Sequence, residues 1–209
     1  MHSLAKPATT EILVKGSRFI AHLERVESKT AIDGKLAEIR RAFPQATHYC
    51  HAYVIGAGGE TQKAVDDGEP ARTAGIPILD ILKKSELTDA LLVVVRYFGG
   101  VKLGAGGLIR AYSQAARAVV ALIEPAWRVP IASILVEVPY SWAESIEKLL
   151  GQNGVVLDKN YTDKVVFGAE CVHDQFEALS SQIKNHTNNN AIIRLMGMRT
   201  AYLSKKTLP

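Results

Sequence analysis

Residues 90–110 read ALLVVVRYFGGVKLGAGGLIR, and the architecture of the first half of the chain turns on this stretch. Ala90 to Val95 is an unbroken apolar run of strand length, the pattern of a strand buried on both faces. From Leu108 onward the period changes. Leu108, Ile109, Tyr112, Ala115, Ala116, Val119 and Ile123 recur at helical spacing, predicting an inward-facing stripe on a helix over 108–123 that Pro125 ends. Between the two lies a glycine-rich turn containing Gly99, Gly100, Gly104, Gly106 and Gly107. A strand, a glycine-rich loop and a helix in that order can aim backbone amides and the positive end of the helix dipole at an anion. Arg96, Lys102 and Arg110 add cations, and Tyr97 and Phe98 add aromatic faces. The competing reading is that the glycines only allow the helix to pack closely on the sheet.

Two familiar phosphate loops are excluded by their own spacing. Gly99 and Gly104 stand at the Walker A interval, but Ala105 and Gly106 occupy the places of its Lys and Ser or Thr. Gly104 and Gly106 begin a dinucleotide fingerprint that would need its third glycine where Ile109 stands.

Working outward, Thr10 to Arg25 with Gly16 and Ser17 at its middle predicts a β-hairpin. Ile32, Leu36, Ile39 and Phe43 behind a Ser or Thr cap predict an amphipathic helix over 28–42, stopped by Pro44. Thr47 to Ile55 reads as a strand. Glu60 to Ile76 is too rich in Gly, Pro and Asp for a regular element and reads as one long loop, followed by a short helix over 77–84 with Pro77 in its first turn. Pro125 to Pro130 reads as a linker. Beyond it, apolar patterns at 133–138, 142–150, 155–159, 164–171, 174–185 and 191–198 give the order βαββαβ, the ferredoxin-like order. The expectation is a two-domain α+β protein divided at residues 1–129 and 130–209.

Composition bounds the setting. The chain has 209 residues with 47% hydrophobic and 22% charged, enough to bury one large or two small cores. No apolar run approaches the roughly 20 residues of a membrane span, and the amino-terminal segment lacks the pattern of a secretory signal, so a soluble cytoplasmic protein is expected. Cys50 and Cys171 fall in different expected domains and are read as reduced, buried thiols rather than a disulfide. The whole net charge of +4 lies before Val129, which allows a nucleic-acid partner without demonstrating one.

A second constellation is VDDGEPARTAG at 65–75, with Asp66, Asp67 and Glu69, preceded by His48, Cys50 and His51 on a strand. Such side chains can ligate metals. However, strand alternation sends His48 and His51 to opposite faces, so an Asx-type turn ordering the loop is the simpler reading and no metal or cofactor is expected. Cys50 as a nucleophile would need a base and a lowered pKa that no spacing here specifies. Arg110, Gln114 and Arg117 share one helix face, either a solvated surface or a stripe for nucleic acid.

Taken together, HYCHAYVIG at 48–56, DDGEP at 66–70, TAGIPIL at 73–79 and VVVRYFGGVKLGAGGLIRAYSQAA at 93–116 resemble the YigZ/IMPACT family over most of residues 11–125. The carboxy-terminal half is similar to the accessory domain of that family's bacterial branch. The resemblance implies a first domain similar to the second domain of ribosomal protein S-five and domain four of elongation factor G. It implies a second domain similar to the last domain of that factor. Eukaryotic relatives regulate translation by competing for an activator of a starvation kinase, using an additional domain, and fold similarity implies RNA or ribosome association for the bacterial branch. Two positions depart from the family pattern: Ala71 and Arg72 stand where Ser-Gly is usual, and Val95 stands where Thr is usual.

The resulting expectation is a non-catalytic protein that binds RNA or the ribosome in the regulation of translation. Arg96, Lys102 and Arg110 would meet phosphates and Tyr97 or Phe98 would stack on a base. Alternatives are a hydrolase or transferase acting on a phosphorylated small molecule, with Asp66, Asp67 or Glu69 as acid, base or metal ligand, or a protein-binding module. His48, His51, Asp66, Asp67, Glu69 and Arg72 form the secondary candidate site.

Overall fold

The computed structural model describes residues 1–204, so the last five residues of the expected second domain lie outside the described residues. The chain divides into two compact units, Met1–Trp127 and the part from Arg128 onward. The architecture is two-domain α+β. Among the described residues no helix is long and apolar enough to cross a membrane.

The first unit opens with a two-residue strand β1 (Ser3–Leu4), then β2 (Ala8–Val14) and β3 (Ser17–Arg25). The β2–β3 hairpin closes through Lys15 and Gly16, both at positive φ (46° and 80°), the two-residue turn whose twist matches its strands. Helix α1 (Lys29–Ala42) is capped by Ser28, whose hydroxyl accepts from the Ala31 amide at 3.2 Å. Next come β4 (His48–Ile55), β5 (Thr61–Val65), α2 (Gly75–Lys84), β6 (Ala90–Tyr97) and α3 (Gly104–Val120). The strands form an antiparallel sheet in the order β2-β3-β6-β4-β5.

The apolar run in β6 now has its cause. Leu91, Val93 and Val95 pack on one face with Ile32 and Ile39 of α1 and with Tyr49 and Tyr53. Leu92 and Val94 pack on the other with Ile78 and Leu82 of α2 and with Leu108, Tyr112 and Ala115 of α3. A strand with helices on both sides has no polar face. Each such side chain contributes about 1.5–3 kcal/mol of burial, so the central strand anchors both layers.

Three expectations are corrected. The stretch 60–76 is not all loop: Thr61 to Val65 pairs with β4 from Ile55 to His51 as an edge strand, Gly75 and Ile76 open α2, and only Glu60 and 66–74 are irregular. An edge strand that is exposed over Thr61–Lys63 has no apolar alternation to betray it. Helix α3 starts at Gly104 rather than Leu108, so Gly106 and Gly107 are helical, and Ile109 is exposed (42%) rather than inward. The strand expected from Ser133 begins at Pro125 as β7 (Pro125–Val138), whose first two residues pair with β1, and the division between the units after Trp127 falls within the expected linker.

The second unit continues from β7 through α4 (Ala143–Asn153), β8 (Gly154–Tyr161), β9 (Val165–Val172), α5 (Phe176–His186) and β10 (Ile192–Ser204). Short 3-10 turns at Tyr140–Trp142 and His173–Gln175 lead into the two helices. Strand order β10-β7-β9-β8 with this βαββαβ succession is the ferredoxin-like topology. Strict alternation in β9 turns Val165, Phe167, Ala169 and Cys171 into a core with Ile146 and Leu150 of α4 and Leu179 and Ile183 of α5.

Candidate functional site

Strand alternation decides where Arg96 goes. It lies two residues beyond Val94, on the face covered by α2 and α3, directly between Phe19 on β3 and His48 on β4. Arg96 is therefore only 5% exposed. Its Nη1 donates to Glu69 Oε1 at 2.6 Å and its Nη2 to Ser17 Oγ at 3.4 Å, while its guanidinium carbon sits 5.4 Å from the Phe19 ring centroid and 5.6 Å from that of Phe98. Tyr112 donates its hydroxyl to the same Glu69 oxygen at 2.8 Å, and His48 Nε2 lies 3.8 Å from it. The Asp67 carbonyl, 2.8 Å from His48 Nδ1, can only accept, which places a proton on Nδ1.

The expectation that Arg96 meets phosphate at the surface is thereby corrected. Its charge is matched inside the protein by Glu69, itself 9% exposed. Each ion depends on the other, because an unpaired buried charge is costly. Arg96 Nε has no hydrogen-bond partner among the described residues, a deficit worth about 1–3 kcal/mol for a buried donor.

The acidic loop serves the fold. Asp66 accepts from the amides of Arg72 (2.7 Å), Ala74 (3.0 Å) and Gly75 (2.8 Å), satisfying donors at the start of α2. Burial pushes the Asp66 carboxyl up, but these amides together outweigh it and hold the group below its usual range. Asp67 accepts from the Tyr49 amide at 2.8 Å and from Arg40 at 3.1 Å. Arg72 is exposed, its backbone sits at φ 63°, and among the described residues its side chain forms no ion pair with Asp66, Asp67 or Glu69. Its left-handed backbone explains why glycine is usual at that place.

On β4 the two histidines do point apart. His51 is buried, with Nδ1 3.1 Å from the Tyr49 carbonyl and its pKa lowered, chiefly by desolvation. Cys50 is fully buried, its thiol donating to the Asp66 carbonyl at 2.8 Å and lying 3.3 Å from the Tyr112 hydroxyl. Burial is the main cause that pushes its pKa up to about 12, so it holds no thiolate at neutral pH.

Phe98 is 48% exposed, but Tyr97 is not free to stack: its hydroxyl donates to the Pro44 carbonyl at 3.1 Å and Arg18 lies over its ring. Gly99 is packed against the hairpin turn so closely that a Cβ would sit 1.9 Å from the Gly16 carbonyl carbon; this glycine serves the docking of the loop on the hairpin, not of the helix on the sheet. Gly100 follows in the turn. Gly104 opens α3 at φ 68° with nothing within 4 Å of a Cβ, and no side chain caps the helix.

These features surround a cavity of about 250 Å³ whose walls include Glu69, Arg96, Phe98, Lys102, Gly104 and Ala105. An adjoining cavity of about 210 Å³ shares Leu103 with it and is lined by Lys15, Gly107, Arg110 and Gln114. The glycine-rich segment and the acidic loop, separate in the sequence, thus meet at one place through Glu69. Lys102 and Arg110 are exposed, and Arg117 continues the exposed face of α3. Sequence reasoning missed Lys15, which only the hairpin's docking brings to Arg110. It also read Tyr112 purely as core, although a tyrosine in an otherwise aliphatic stripe signals a buried partner for its hydroxyl.

The fold and site define a two-domain α+β protein with a cationic, cavity-bearing helix start on its first unit. Residues 15–120 match the Impact N-terminal domain and residues 136–190 match the domain of unknown function DUF1949. The chain belongs to the IMPACT family. It is 39% identical to IMPACT family member YvyE of Bacillus subtilis (strain 168) over 185 residues, covering 88% of this chain and 85% of that protein. With IMPACT family member YigZ of Escherichia coli (strain K12) the identity is 36% over 160 residues, 75% and 78% of the two chains. A solved crystal structure described as a hypothetical protein superposes with a TM-score of 0.63 at 29% identity, covering 94% of this chain and 97% of that one.

Proposed function

We propose that this protein binds RNA or the ribosome in a translation-related role, through the face of the first unit that carries Lys15, Lys102, Arg110 and Arg117. The observation that carries the reading is the meeting of two cavities at Leu103, each with an exposed cation, beside an uncapped helix start and the exposed ring of Phe98. Backbone amides and lysine or arginine side chains meet phosphates, and a projecting aromatic ring accepts a base without reading its identity. Membership of the IMPACT family supports the link to translation. Arg96 acts here by positioning the wall rather than by touching the ligand.

Filter binding of single-stranded RNA across a salt series tests this. Three phosphate contacts from Lys15, Lys102 and Arg110 give a log–log slope of about −2, so affinity falls about 20-fold between about 50 and 200 mM salt. Replacing the three by Ala should flatten the slope and weaken binding at low salt. An unchanged slope in a folded triple variant would remove this face from the function.

A further inference from the structure

We infer that β10 of the second unit joins two copies of this chain, which pair antiparallel along its outer edge about a two-fold axis at Gly197. No residue of the first unit takes part, so the inference stands apart from the RNA reading.

The sheet of the second unit has two edges. Among the described residues β10 pairs only with β7 and β8 only with β9, so each carries unpaired backbone groups along its other side. Folded proteins guard such edges with charge, a bulge or a covering element. On β8 the register slips between Val156 and Asp158, which is a guard of that kind. On β10 the guard is missing where it is needed. The strand runs for 13 residues without proline, and all seven from Arg194 to Thr200 are exposed, so neither of its faces is covered there. Leu195, Met196 and Met198 lie in that stretch, the two methionines 63% and 64% exposed. Its two charges are met within the unit, Arg194 by Glu137 at 3.0 Å and Arg199 by Glu170 at 2.6 Å. An open backbone edge with apolar side chains and no net charge suits another strand, not an acidic or nucleic-acid partner.

Gly197 points to a second copy as that strand. Glycine weakens a strand interior and marks a place where another backbone comes close. Nothing in this chain comes close: a Cβ on Gly197 would meet no atom within 4 Å, and the residue is not among those at positive φ. A copy approaching along the edge supplies the missing neighbour, and a two-fold arrangement closes both edges at once. Pairing about Gly197 also sorts the side chains. Met196 of each copy faces Met198 of the other, two contacts between flexible, polarizable side chains. Arg194 faces Thr200 and Arg199 faces Leu195, so no arginine opposes an arginine.

Sedimentation velocity on the full chain from about 1 to 100 µM tests this, and the average mass should rise with concentration towards twice that of the chain. Met196→Lys/Met198→Lys sets lysine against lysine at two places and should stay monomeric throughout, with an unchanged far-ultraviolet circular dichroism spectrum. Oxidation reads the register. At the axis the two Cα atoms stand about 4.5–5.5 Å apart, within the span of a disulfide, so Gly197→Cys should form a covalent dimer. Met198→Cys places its two copies about 7–8 Å apart on the diagonal, so it should not link alone but should link when mixed with Met196→Cys. Cys50 and Cys171 are buried and do not compete. A chain that stays monomeric at about 100 µM, whatever other strand its edge accepts, overturns the inference. So does a dimer that survives the double lysine substitution, or one that links through Met198→Cys alone as readily as through Gly197→Cys.

Discussion

Glu69→Ala is the sharpest perturbation of the site's frame. The substitution leaves Arg96, 5% exposed, without its counter-ion at 2.6 Å, and takes the acceptor from the Tyr112 hydroxyl at 2.8 Å. Breaking a buried pair by removing one partner costs about 3–5 kcal/mol. With a urea dependence of about 2 kcal/mol per molar, the midpoint of the first unit should fall by about 2 M. The assay is urea denaturation followed by circular dichroism and tryptophan fluorescence, since Trp127 reports on the first unit and Trp142 on the second. Glu170→Ala is the comparison. It breaks a two-point pair with Arg199, at 2.8 and 2.6 Å, but the Arg199 side chain is 55% exposed, and such pairs contribute about 1 kcal/mol or less. Glu69→Ala/Arg96→Met should recover part of the loss, because no unpaired charge remains. If Glu69→Ala shifts the midpoint no further than Glu170→Ala, the buried pair does not hold the cavity wall and the reasoning fails.

Asp66→Ala should destabilise by about 1–2 kcal/mol, read as a lower thermal midpoint, because three amides at the start of α2 lose their acceptor. Arg72→Gly should stabilise by about 0.5–1 kcal/mol: relief of a left-handed non-glycine backbone, about 1–2 kcal/mol, exceeds the entropy glycine adds to the unfolded chain. Native Cys50 should resist alkylation at pH 8 and react on unfolding, since it is fully buried and its pKa is pushed up to about 12. His22 and His51 have pKa values lowered from 6.5, His22 by desolvation and His51 chiefly so. The unfolded state therefore binds more protons below that value, and stability should be full above pH 6.5 and decline as the solution is acidified.

Much of this was legible in the residues. The two-faced burial of β6, the Ser28 cap of α1 and the βαββαβ order of the second unit follow from periodicity and turn chemistry. What escaped depends on distant partners. Strand β5 is polar and exposed over its first three residues and exists because β4 offers an edge. The glycine-rich start of α3 has poor intrinsic helix propensity and is held by Leu108, Tyr112 and Ala115 in the core. The pairing of Arg96 with Glu69 spans 27 residues and needs the acidic loop to turn back from β5 over the β4–β6 pair, which no local pattern states. The alternation from Leu92 to Val94 to Arg96 did carry a clue that Arg96 points inward. That placement makes Lys102 and Arg110 the cations to change when binding is tested, because altering Arg96 would confound affinity with stability.

Co-sedimentation of the protein with ribosomal particles over a salt series tests the central claim most directly. Pelleting at about 50 mM salt should fade by about 200 mM, and Lys102→Ala/Arg110→Ala should not pellet at low salt while keeping an unchanged thermal midpoint. A double variant that pellets like the unmodified protein at every salt concentration would contradict it.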